Sequence, residues 1–260
     1  MSKATVSTVS WSKVCVADYD ITKPEDNDFT PAQKLAFVRY KNKGKSGQLY
    51  MKTPRFQLTY GGIPREGPFY DTPTKRAKGH KIPFNDTVEG NAFKEVMKGH
   101  DIVFSSEEFR KNVLGWSDKI SQGYDYVSIV RTPQEFDDDD DDDEEDEEKI
   151  KLKQKAKEKR AQMGPKPDYM KAFFELEYQT NKVLVKLFLK QDEEKKLIED
   201  VVSLEDASLY ITYMGFYKYI VTPNKLYASK NKDKNGRKQY GVTWKVICVE
   251  CEPAEKMGGK

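Results

Sequence analysis

Alternation of apolar and polar residues in the second half of the chain predicts a series of β-strands. The strands expected from this period of two are Phe173 to Tyr178, Val183 to Leu189, Tyr210 to Val221 and Tyr240 to Cys251. Two short polar segments between them, Gln179-Thr180-Asn181 and Asn235-Gly236, have the composition of hairpin turns. This half of the chain is therefore expected to be mainly β.

The side chains of two of these strands divide into faces that indicate how the sheet is covered. One predicted strand places Val183, Val185, Leu187 and Leu189 on one face and Leu184, Lys186, Phe188 and Lys190 on the other. The last strand places Tyr240, Val242, Trp244, Val246 and Cys248 opposite Thr243, Lys245, Ile247 and Val249. The first pattern predicts a basic, aromatic outer face. The second is apolar on both sides toward its end, as in a small closed barrel with something packed outside it.

The first half of the chain mixes short strands with helices. Its other predicted elements are a strand near Val14 to Val16, a short apolar segment at 35–40, a strand over Gln48 to Tyr60, a loop over Arg65 to Pro83 and a strand over Tyr126 to Val130. Apolar spacing between Thr87 and Leu114 predicts two helices joined near residues 101–104. Ser105 or Ser106, followed by two glutamates, is the expected N-cap of the second helix.

Charge is distributed very unevenly along the chain. Asp137 to Glu148 are twelve consecutive acidic residues, and a basic run from Lys149 to Arg160 follows them directly. Without those twelve, 31 Asp and Glu remain against 45 Lys and Arg, so the rest of the chain carries a net charge of +14 rather than +2. A basic protein rich in aromatic rings suits a polyanionic partner with flat faces, which points to nucleic acid.

Aromatic and basic residues are interleaved from Tyr213 to Lys245. In a protein that binds single strands, such rings stack on bases, at about 1–3 kcal/mol each, and lysines and arginines contact phosphates. The binding residues predicted here and in the strand before it are Lys186, Phe188, Tyr217, Tyr219, Lys225, Tyr227, Lys230, Arg237, Tyr240, Trp244 and Lys245. Packing in a β core is the alternative for each ring taken alone.

Few residues could form a catalytic or metal site. The two histidines, His80 and His100, occur in unrelated contexts, which disfavours a metal site or a Ser-His or Cys-His arrangement. Cys248 and Cys251 have CxxC spacing, but in a strand their thiols would point to opposite faces. The acidic run lacks the spaced ligands of a calcium loop. We expect no enzyme activity, no cofactor and no metal.

The cysteine content and the absence of long apolar runs indicate where the protein is found. Three cysteines without the spacing of a disulfide framework favour a reducing compartment. The N-terminal segment lacks the apolar centre of a signal peptide, and no stretch approaches the ~18 apolar residues of a membrane span. We therefore expect an intracellular protein that does not associate with membranes.

Three segments together resemble a known family. They are Leu49 to Phe56 followed by Gly62-Ile63; Phe93 to Met97 with Asp101 and Ser106 to Phe109, leading to Tyr126 and Arg131; and Tyr240 to Val246. This set resembles the replicative single-stranded DNA-binding proteins of large nucleocytoplasmic DNA viruses, an OB-fold group similar to the replication single-strand binder of short-tailed phages. The resemblance covers roughly residues 40–249.

The resemblance implies an OB-fold barrel that binds and protects single-stranded DNA without sequence choice and without catalysis, during replication, recombination or repair. It places two groups of residues on or beside the binding strands: Lys52, Arg55 and Phe56, and Tyr240, Trp244 and Lys245. For a viral protein it implies the host cytoplasm or nucleus, or packaging in the virion.

Composition and resemblance together divide the chain into five segments. They are an N-terminal arm (1–45), the first part of an OB-fold-like domain (46–133), a disordered acidic and then basic insertion (134–167), the second part of the domain (168–252) and a flexible C-terminal tail (253–260). The predicted fold class is mainly β with a few helices (α+β), an OB-fold-like barrel with a helical insertion.

The position of the acidic run departs from the family pattern. Phage-type members carry a C-terminal acidic tail that competes with DNA and recruits replication partners, whereas Asp137 to Glu148 lie inside this chain. Our hypothesis is that this run competes for the basic face and binds replication proteins, so that deleting it tightens DNA binding at low salt. A solubilising insertion with neither role is the alternative.

Two other functions remain open at this point. The chain could be an acidic-tract interaction protein that binds basic partners such as histone-like proteins through Asp137 to Glu148, or a virion structural protein. Salt-sensitive binding of oligonucleotides would favour the single-strand binder. Binding of basic proteins would favour the acidic-tract interaction protein, and large assemblies without nucleic acid would favour the virion structural protein. The sequence leaves open DNA against RNA, and whether the protein forms a homo-oligomer.

Overall fold

A curled, half-barrel β-sheet with a few helices makes up the described part of the chain. The computed structural model describes residues 8–42, 44–133, 165–191, 194–233 and 235–252. The strands are β1 (Val9–Ser10), β2 (Tyr19–Ile21), β3 (Glu25–Asp26), β4 (Gln33–Asn42), β5 (Lys45–Gly47), β6 (Met51–Lys52), β7 (Phe56–Gln57), β8 (Lys81–Pro83), β9 (Tyr124–Tyr126), β10 (Tyr169–Phe174), β11 (Lys186–Gln191), β12 (Glu194–Leu197), β13 (Phe216–Lys232) and β14 (Lys238–Glu252). The α-helices are α1 (Pro73–Lys78), α2 (Val88–Ser105), α3 (Asp118–Gln122) and α4 (Leu204–Tyr210). The prediction of a mainly β, α+β, barrel-like fold is confirmed at this level.

The two longest strands, β13 and β14, form an antiparallel hairpin on which the sheet is organised. Along its other edge β14 pairs in parallel with β9, β10 and β11. The other edge of β13 pairs in succession with β4, β6 and β7. The predicted Asn235-Gly236 turn is confirmed, and Gly236 has a φ of 75°, a conformation that glycine adopts without a steric cost.

Two β-bulges change which side chains of this hairpin face the core. Cys248 pairs with Ile220 and Val246 with Val221, so Ile247 has no partner in the ladder. The buried positions of β14 therefore change from even numbers, ending at Val246, to odd numbers, beginning at Val249. Strict alternation predicts Cys248 on the face of Tyr240 and Trp244; this prediction is wrong because the bulge turns Cys248 to the opposite face.

The second bulge, at Asn224, does the same for β13. Pro223 pairs with Trp244 and Lys225 with Thr243, so Asn224 is the additional residue. Buried positions change from Tyr217, Tyr219 and Val221 to Leu226 and Ala228. Pro223 lies beside this bulge. Proline has no N–H group to donate to a neighbouring strand, and the regular hydrogen bonding is already interrupted at a bulge.

Strand β4 belongs to the sheet rather than to an arm. Its residue Phe37 pairs with Lys225 of β13, and its alternate side chains Ala36, Val38 and Tyr40 are buried in the core. The boundary predicted at residue 45 therefore does not separate an arm from the sheet. The apolar segment at residues 35–40 is part of a ten-residue strand.

Helix α2 covers the inner face of the sheet. The Thr87 hydroxyl caps its N-terminus by accepting from the Gly90 N–H at 3.0 Å. Its buried residues Phe93, Met97 and Phe104 recur at helical spacing, and Phe93 packs against Phe56 with ring centroids 5.7 Å apart.

The helix break predicted near residues 101–104 is wrong, because α2 continues to Ser105. The Asp101 carboxylate does not end the helix; it accepts from the backbone N–H groups of Ile129 and Val130 at 2.7 and 3.0 Å. It also accepts from the Tyr126 hydroxyl at 2.8 Å. Ser106 does cap the next helical segment, which begins at Glu107 and includes a π-helical turn over Phe109–Val113, by accepting from the Phe109 N–H.

Several other predicted boundaries change in the structure. The stretch predicted as a strand from Tyr210 contains the end of α4, which begins at a capping box formed by Ser203 and Asp206. The predicted loop over Arg65 to Pro83 contains α1 and β8. Around Val14 to Val16 the chain forms two short 3₁₀ turns, Trp11–Lys13 and Val16–Asp18, instead of a strand. Near Tyr126 to Val130 the strand is β9, Tyr124–Tyr126.

The acidic run Asp137 to Glu148 and the basic run after it lie outside the described residues, as does the predicted tail 253–260.

Burial of His80 in this fold has a consequence for stability. The His80 ring is fully buried, with its centroid 4.8 Å from that of Phe174, and burial lowers its pKa from 6.5 to about 4. The unfolded chain therefore binds a proton below about pH 6.5 that the folded chain takes up only near pH 4. Stability conferred by the neutral imidazole is complete above pH 6.5 and is lost as the pH falls toward 4.

We expect His80 to account for about 2 kcal/mol of the loss in unfolding free energy between pH 7 and pH 4.5, given 1.36 kcal/mol per pKa unit. The measurement is urea unfolding of wild type and His80→Phe at both pH values. Any change in packing caused by the substitution alters the unfolding free energy equally at both pH values, so it cancels in the difference between them. An equal loss in the two proteins would show that the folded protein accommodates the protonated ring.

Candidate nucleic-acid interface

The register of the sheet defines a face opposite the buried one on which α2 packs. Residues paired across neighbouring strands point to the same side of a sheet. One such set, named here the Lys52–Lys186 row, runs from Lys52 in β6 to Ile220 in β13, Cys248 in β14 and Lys186 in β11. On the other side of the same strands, the side chains are buried and pack toward α2. We name this side of the sheet the open face.

The Lys52–Lys186 row places an apolar strip between two cations. Lys52 and Lys186 are exposed, and Ile220 and Cys248 between them are half-buried. Three strand spacings separate the two lysines, about 14 Å at ~4.8 Å per strand. The arrangement offers a narrow apolar surface with positive charge at both ends.

A second row beside it adds further cationic and apolar groups. It contains Lys218 in β13, Glu250 in β14, Phe188 in β11 and Leu197 in β12. Lys218 and Phe188 are half-buried, and Leu197 is exposed. The predicted outer face of the Lys186 strand is confirmed as basic and aromatic.

Carboxylates neutralise part of this charge but not all of it. Glu250 pairs with Lys195, and Glu252 accepts from Arg55 at 2.7 Å and from Lys190 at 3.3 Å. The Arg55 guanidinium also lies 3.7 Å from the centroid of the Phe216 ring. In the described part of the chain, no carboxylate forms an ion pair with Lys52, Lys186 or Lys218.

The two thiols of the CxxC segment are separated by the sheet. Cys248 lies on the open face, where burial and then Glu250 raise its pKa to about 11. Cys251 lies in the core, where burial is the main cause that raises its pKa to about 12. Both thiols are therefore protonated at neutral pH, and they face opposite sides, as predicted from the strand period.

Four of the fourteen predicted binding residues come together at this end of the open face. They are Lys52, Arg55, Lys186 and Phe188. Lys225 and Tyr227 lie on the same face farther along β13, where both are half-buried and pair with Phe37 and Leu35 of β4.

Five predicted stacking rings are core residues instead, which corrects their assignment to a binding surface. They are Phe56, Tyr217, Tyr219, Tyr240 and Trp244, each no more than 2% exposed. The alternation that put them on strands was right, but their side of the sheet is the one that faces the core. None of these rings presents a face to a base in this structure.

The remaining predicted cations are engaged in ion pairs. Lys230 pairs with Asp26 at 2.7 Å and Arg237 with Asp125 at 2.8 Å, both near the tip of the β13–β14 hairpin. Lys245 pairs with Glu175 at 2.8 Å. Lys245 lies on the open face of the hairpin and pairs with Phe173 of β10.

Sequence reasoning missed a second cationic cluster on the open face. Lys81 of β8 and Lys171 of β10 are direct cross-strand partners, and Arg131 forms a backbone bridge with Tyr169. The rings of Tyr60 and Tyr169 lie 4.9 and 4.6 Å from the Lys81 ammonium. We name this set the Lys171 cluster; no local pattern reveals it, because its members come from four distant segments.

Among the described residues, no group of three His, Cys, Asp or Glu side chains is arranged to hold a metal ion. His80 and His100 are both buried, and burial is the first cause of the lowered pKa of each. Within the same described part of the chain, no helix combines the length and the apolar content that crossing a bilayer requires.

A scan against models of known protein families and a search of curated proteins each found no match to this chain.

Tyr217 provides a test of the assignment of rings to the core. Its hydroxyl accepts from the Thr212 N–H at 2.7 Å and lies 2.9 Å from the Thr212 carbonyl oxygen, to which it donates. We expect Tyr217→Phe to lower the unfolding free energy by about 1–3 kcal/mol, because buried backbone groups lose their partner. Affinity for a single-stranded oligonucleotide should not change.

The matched control is Tyr213→Phe, since Tyr213 is exposed in the same segment and its loss of a hydroxyl should change neither quantity. Urea unfolding and a fluorescence titration measure the two effects. Weaker binding by Tyr217→Phe at unchanged stability would put this ring back in the interface.

Proposed function

We propose that this protein is a non-catalytic, sequence-independent binder of single-stranded nucleic acid, and that the strand lies across the open face. The observation that carries the proposal is the Lys52–Lys186 row with its neighbour Lys218: three cations that form no ion pair with a described carboxylate lie beside a half-buried apolar strip. An OB-fold-like barrel is part of the same proposal, supported by the curl of the sheet around the β13–β14 hairpin.

The charge on this surface supports a polyanionic ligand. Lysines that lack a partner carboxylate release condensed counterions from nucleic acid when they contact phosphates, which is favourable at low salt. Lys52 and Lys186 are both exposed, and neither forms an ion pair with a described carboxylate. Neither therefore has to break such a pair in order to bind phosphate. Arg55 and Lys190 would contribute less, since Glu252 already accepts from both.

The apolar groups between the lysines support a single strand rather than a duplex. Phe188 and its cross-strand neighbour Leu197 offer partly exposed apolar surface beside the charged row. A duplex presents mainly phosphates to a flat surface, whereas a single strand also presents the faces of its bases, which stack on such rings. The proposed role is protection of single-stranded DNA during replication, recombination or repair.

The charge contribution can be measured from salt dependence. We expect Lys52→Gln and Lys186→Gln each to weaken binding of a mixed-sequence oligonucleotide equally across sequences, and to reduce the slope of log affinity against log salt by about one. Lys245→Gln should change the slope less, because its ammonium is paired with Glu175. The readout is fluorescence anisotropy at several salt concentrations, with duplex of the same length beside it.

Lys119→Gln on α3 is the matched control, since Lys119 is exposed and belongs to a helix rather than to the open face. Equal slopes for all variants, or binding that prefers the duplex, would contradict the proposed face.

The stacking contribution is tested at Phe188. Phe188→Leu keeps an apolar side chain in the row but removes the ring, so we expect affinity to fall about 5-fold or more, from the ~1–3 kcal/mol of a stacked base. The salt slope should stay the same because no charge is lost. Phe69→Leu is the control, since Phe69 is an exposed ring in the loop before α1.

If Phe188→Leu binds as wild type while Lys52→Gln binds more weakly, the strand contacts the open face through phosphates alone. That result would remove base stacking at this position from the proposal.

A further inference from the structure

We propose that the Lys171 cluster is a phosphate-binding subsite at the far end of the open face from the Lys52–Lys186 row. Its residues are Lys81, Arg131 and Lys171, with the rings of Tyr60 and Tyr169 beside them. The assignment of a nucleic-acid strand as its natural ligand rests on the proposed function. The contact with phosphate itself does not.

The backbone brings these residues together in a defined way. Lys171 and Lys81 are cross-strand partners in β10 and β8, about 5 Å apart at the backbone by the usual strand spacing. Two backbone hydrogen bonds of 2.9 Å join Arg131 to Tyr169, which is two positions before Lys171. The Arg131 Nε donates to the Ser128 carbonyl at 3.2 Å, and this bond holds the guanidinium in place.

Among the described residues, the cluster has no paired carboxylate to offset the repulsion between its cations. In the described residues, no carboxylate lies within ion-pairing distance of Lys81, Arg131 or Lys171. Like charges directly opposite each other in a sheet are destabilising. Burial, followed by the charges of Arg131 and Lys81, lowers the pKa of the Lys171 ammonium. Asp168, three residues before Lys171, is instead paired with Lys94 of α2 at 2.6 Å.

The two tyrosines hold the cluster in a geometry suited to an anion. Lys81 donates to the Tyr60 hydroxyl at 3.0 Å while its ammonium lies near both rings. The Tyr60 hydroxyl therefore has its own hydrogen left to donate. Two ammonium groups, one guanidinium and one hydroxyl give the set of donors that phosphate oxygens accept, and the guanidinium can donate in a bidentate manner.

The subsite lies on the path that a bound strand would follow. The neighbour of Lys171, Ala172, pairs with Trp244, so Lys171 lies level with Thr243 of β14 on the open face. Thr243 and Cys248 are five residues apart along β14, about 16 Å at ~3.3 Å per residue. A strand that crosses both positions would contact phosphate-binding groups at each end.

The test uses the full chain and sodium pyrophosphate as the probe, at constant ionic strength set with sodium chloride. We expect pyrophosphate to raise the Tm of the wild-type protein and of the control Lys119→Gln, and Lys171→Gln to lose most of this rise. Without pyrophosphate, Lys171→Gln should have an equal or higher Tm, because the substitution removes repulsion from Lys81 and Arg131. A purely structural lysine would show the opposite, a lower Tm and an unchanged response.

The proposal is overturned if Lys171→Gln keeps the wild-type response to pyrophosphate, or if chloride alone at the same ionic strength reproduces it. A titration with a long single-stranded oligonucleotide separates this proposal from the proposed function. A pyrophosphate response without oligonucleotide binding would support the subsite and refute the single-strand function. Oligonucleotide binding that depends on Lys52 but is unchanged in Lys171→Gln, with the pyrophosphate response absent, would refute the subsite alone.

Discussion

The β13–β14 hairpin, with bulges at Ile247 and Asn224, is the constraint on which the rest of the structure depends. Each bulge inserts one residue and so exchanges the inward and outward faces beyond it. Because of Ile247, β14 keeps a buried face continuous with the core from Trp244 to Cys251 even though the sheet curls. A hairpin of this length without bulges would turn Cys248 and Glu250 into the core, where a carboxylate has no compensating charge.

The same constraint separates aromatic rings from cations. The rings of Tyr217, Tyr219, Tyr240 and Trp244 point inward. The Tyr240 hydroxyl donates to the Phe104 carbonyl of α2 at 2.8 Å. Lysines of the same strands point outward, and only some of them meet a carboxylate. The open face is therefore more cationic than aromatic. A ligand bound there would gain mainly from phosphate contacts, with a smaller share from rings such as Phe188, and its affinity would depend strongly on salt.

Buried polar contacts connect this face to the helical layer behind it. Asp101 of α2 holds the end of β9 and the segment after it through three hydrogen bonds, and that segment leads to Arg131 and the Lys171 cluster. The position of a surface cation thus depends on a carboxylate on the other side of the sheet. Such a network stabilises one arrangement because each lost partner would leave a buried polar group unsatisfied.

Local alternation in the sequence determined which segments are strands around Lys186 and Tyr240, where the hairpin turns, and that Lys186 and Phe188 share an outer face. It could not determine which side of the sheet is buried, so the rings of Tyr217, Tyr240 and Trp244 were compatible with the core and, as a cluster, with a binding surface. Nor could it locate the bulge at Ile247, since that residue lies in a run that is apolar on both faces. The Lys171 cluster was decided by tertiary structure alone. Periodicity reports the geometry of one strand, whereas register between distant segments depends on packing that a single stretch of sequence does not contain.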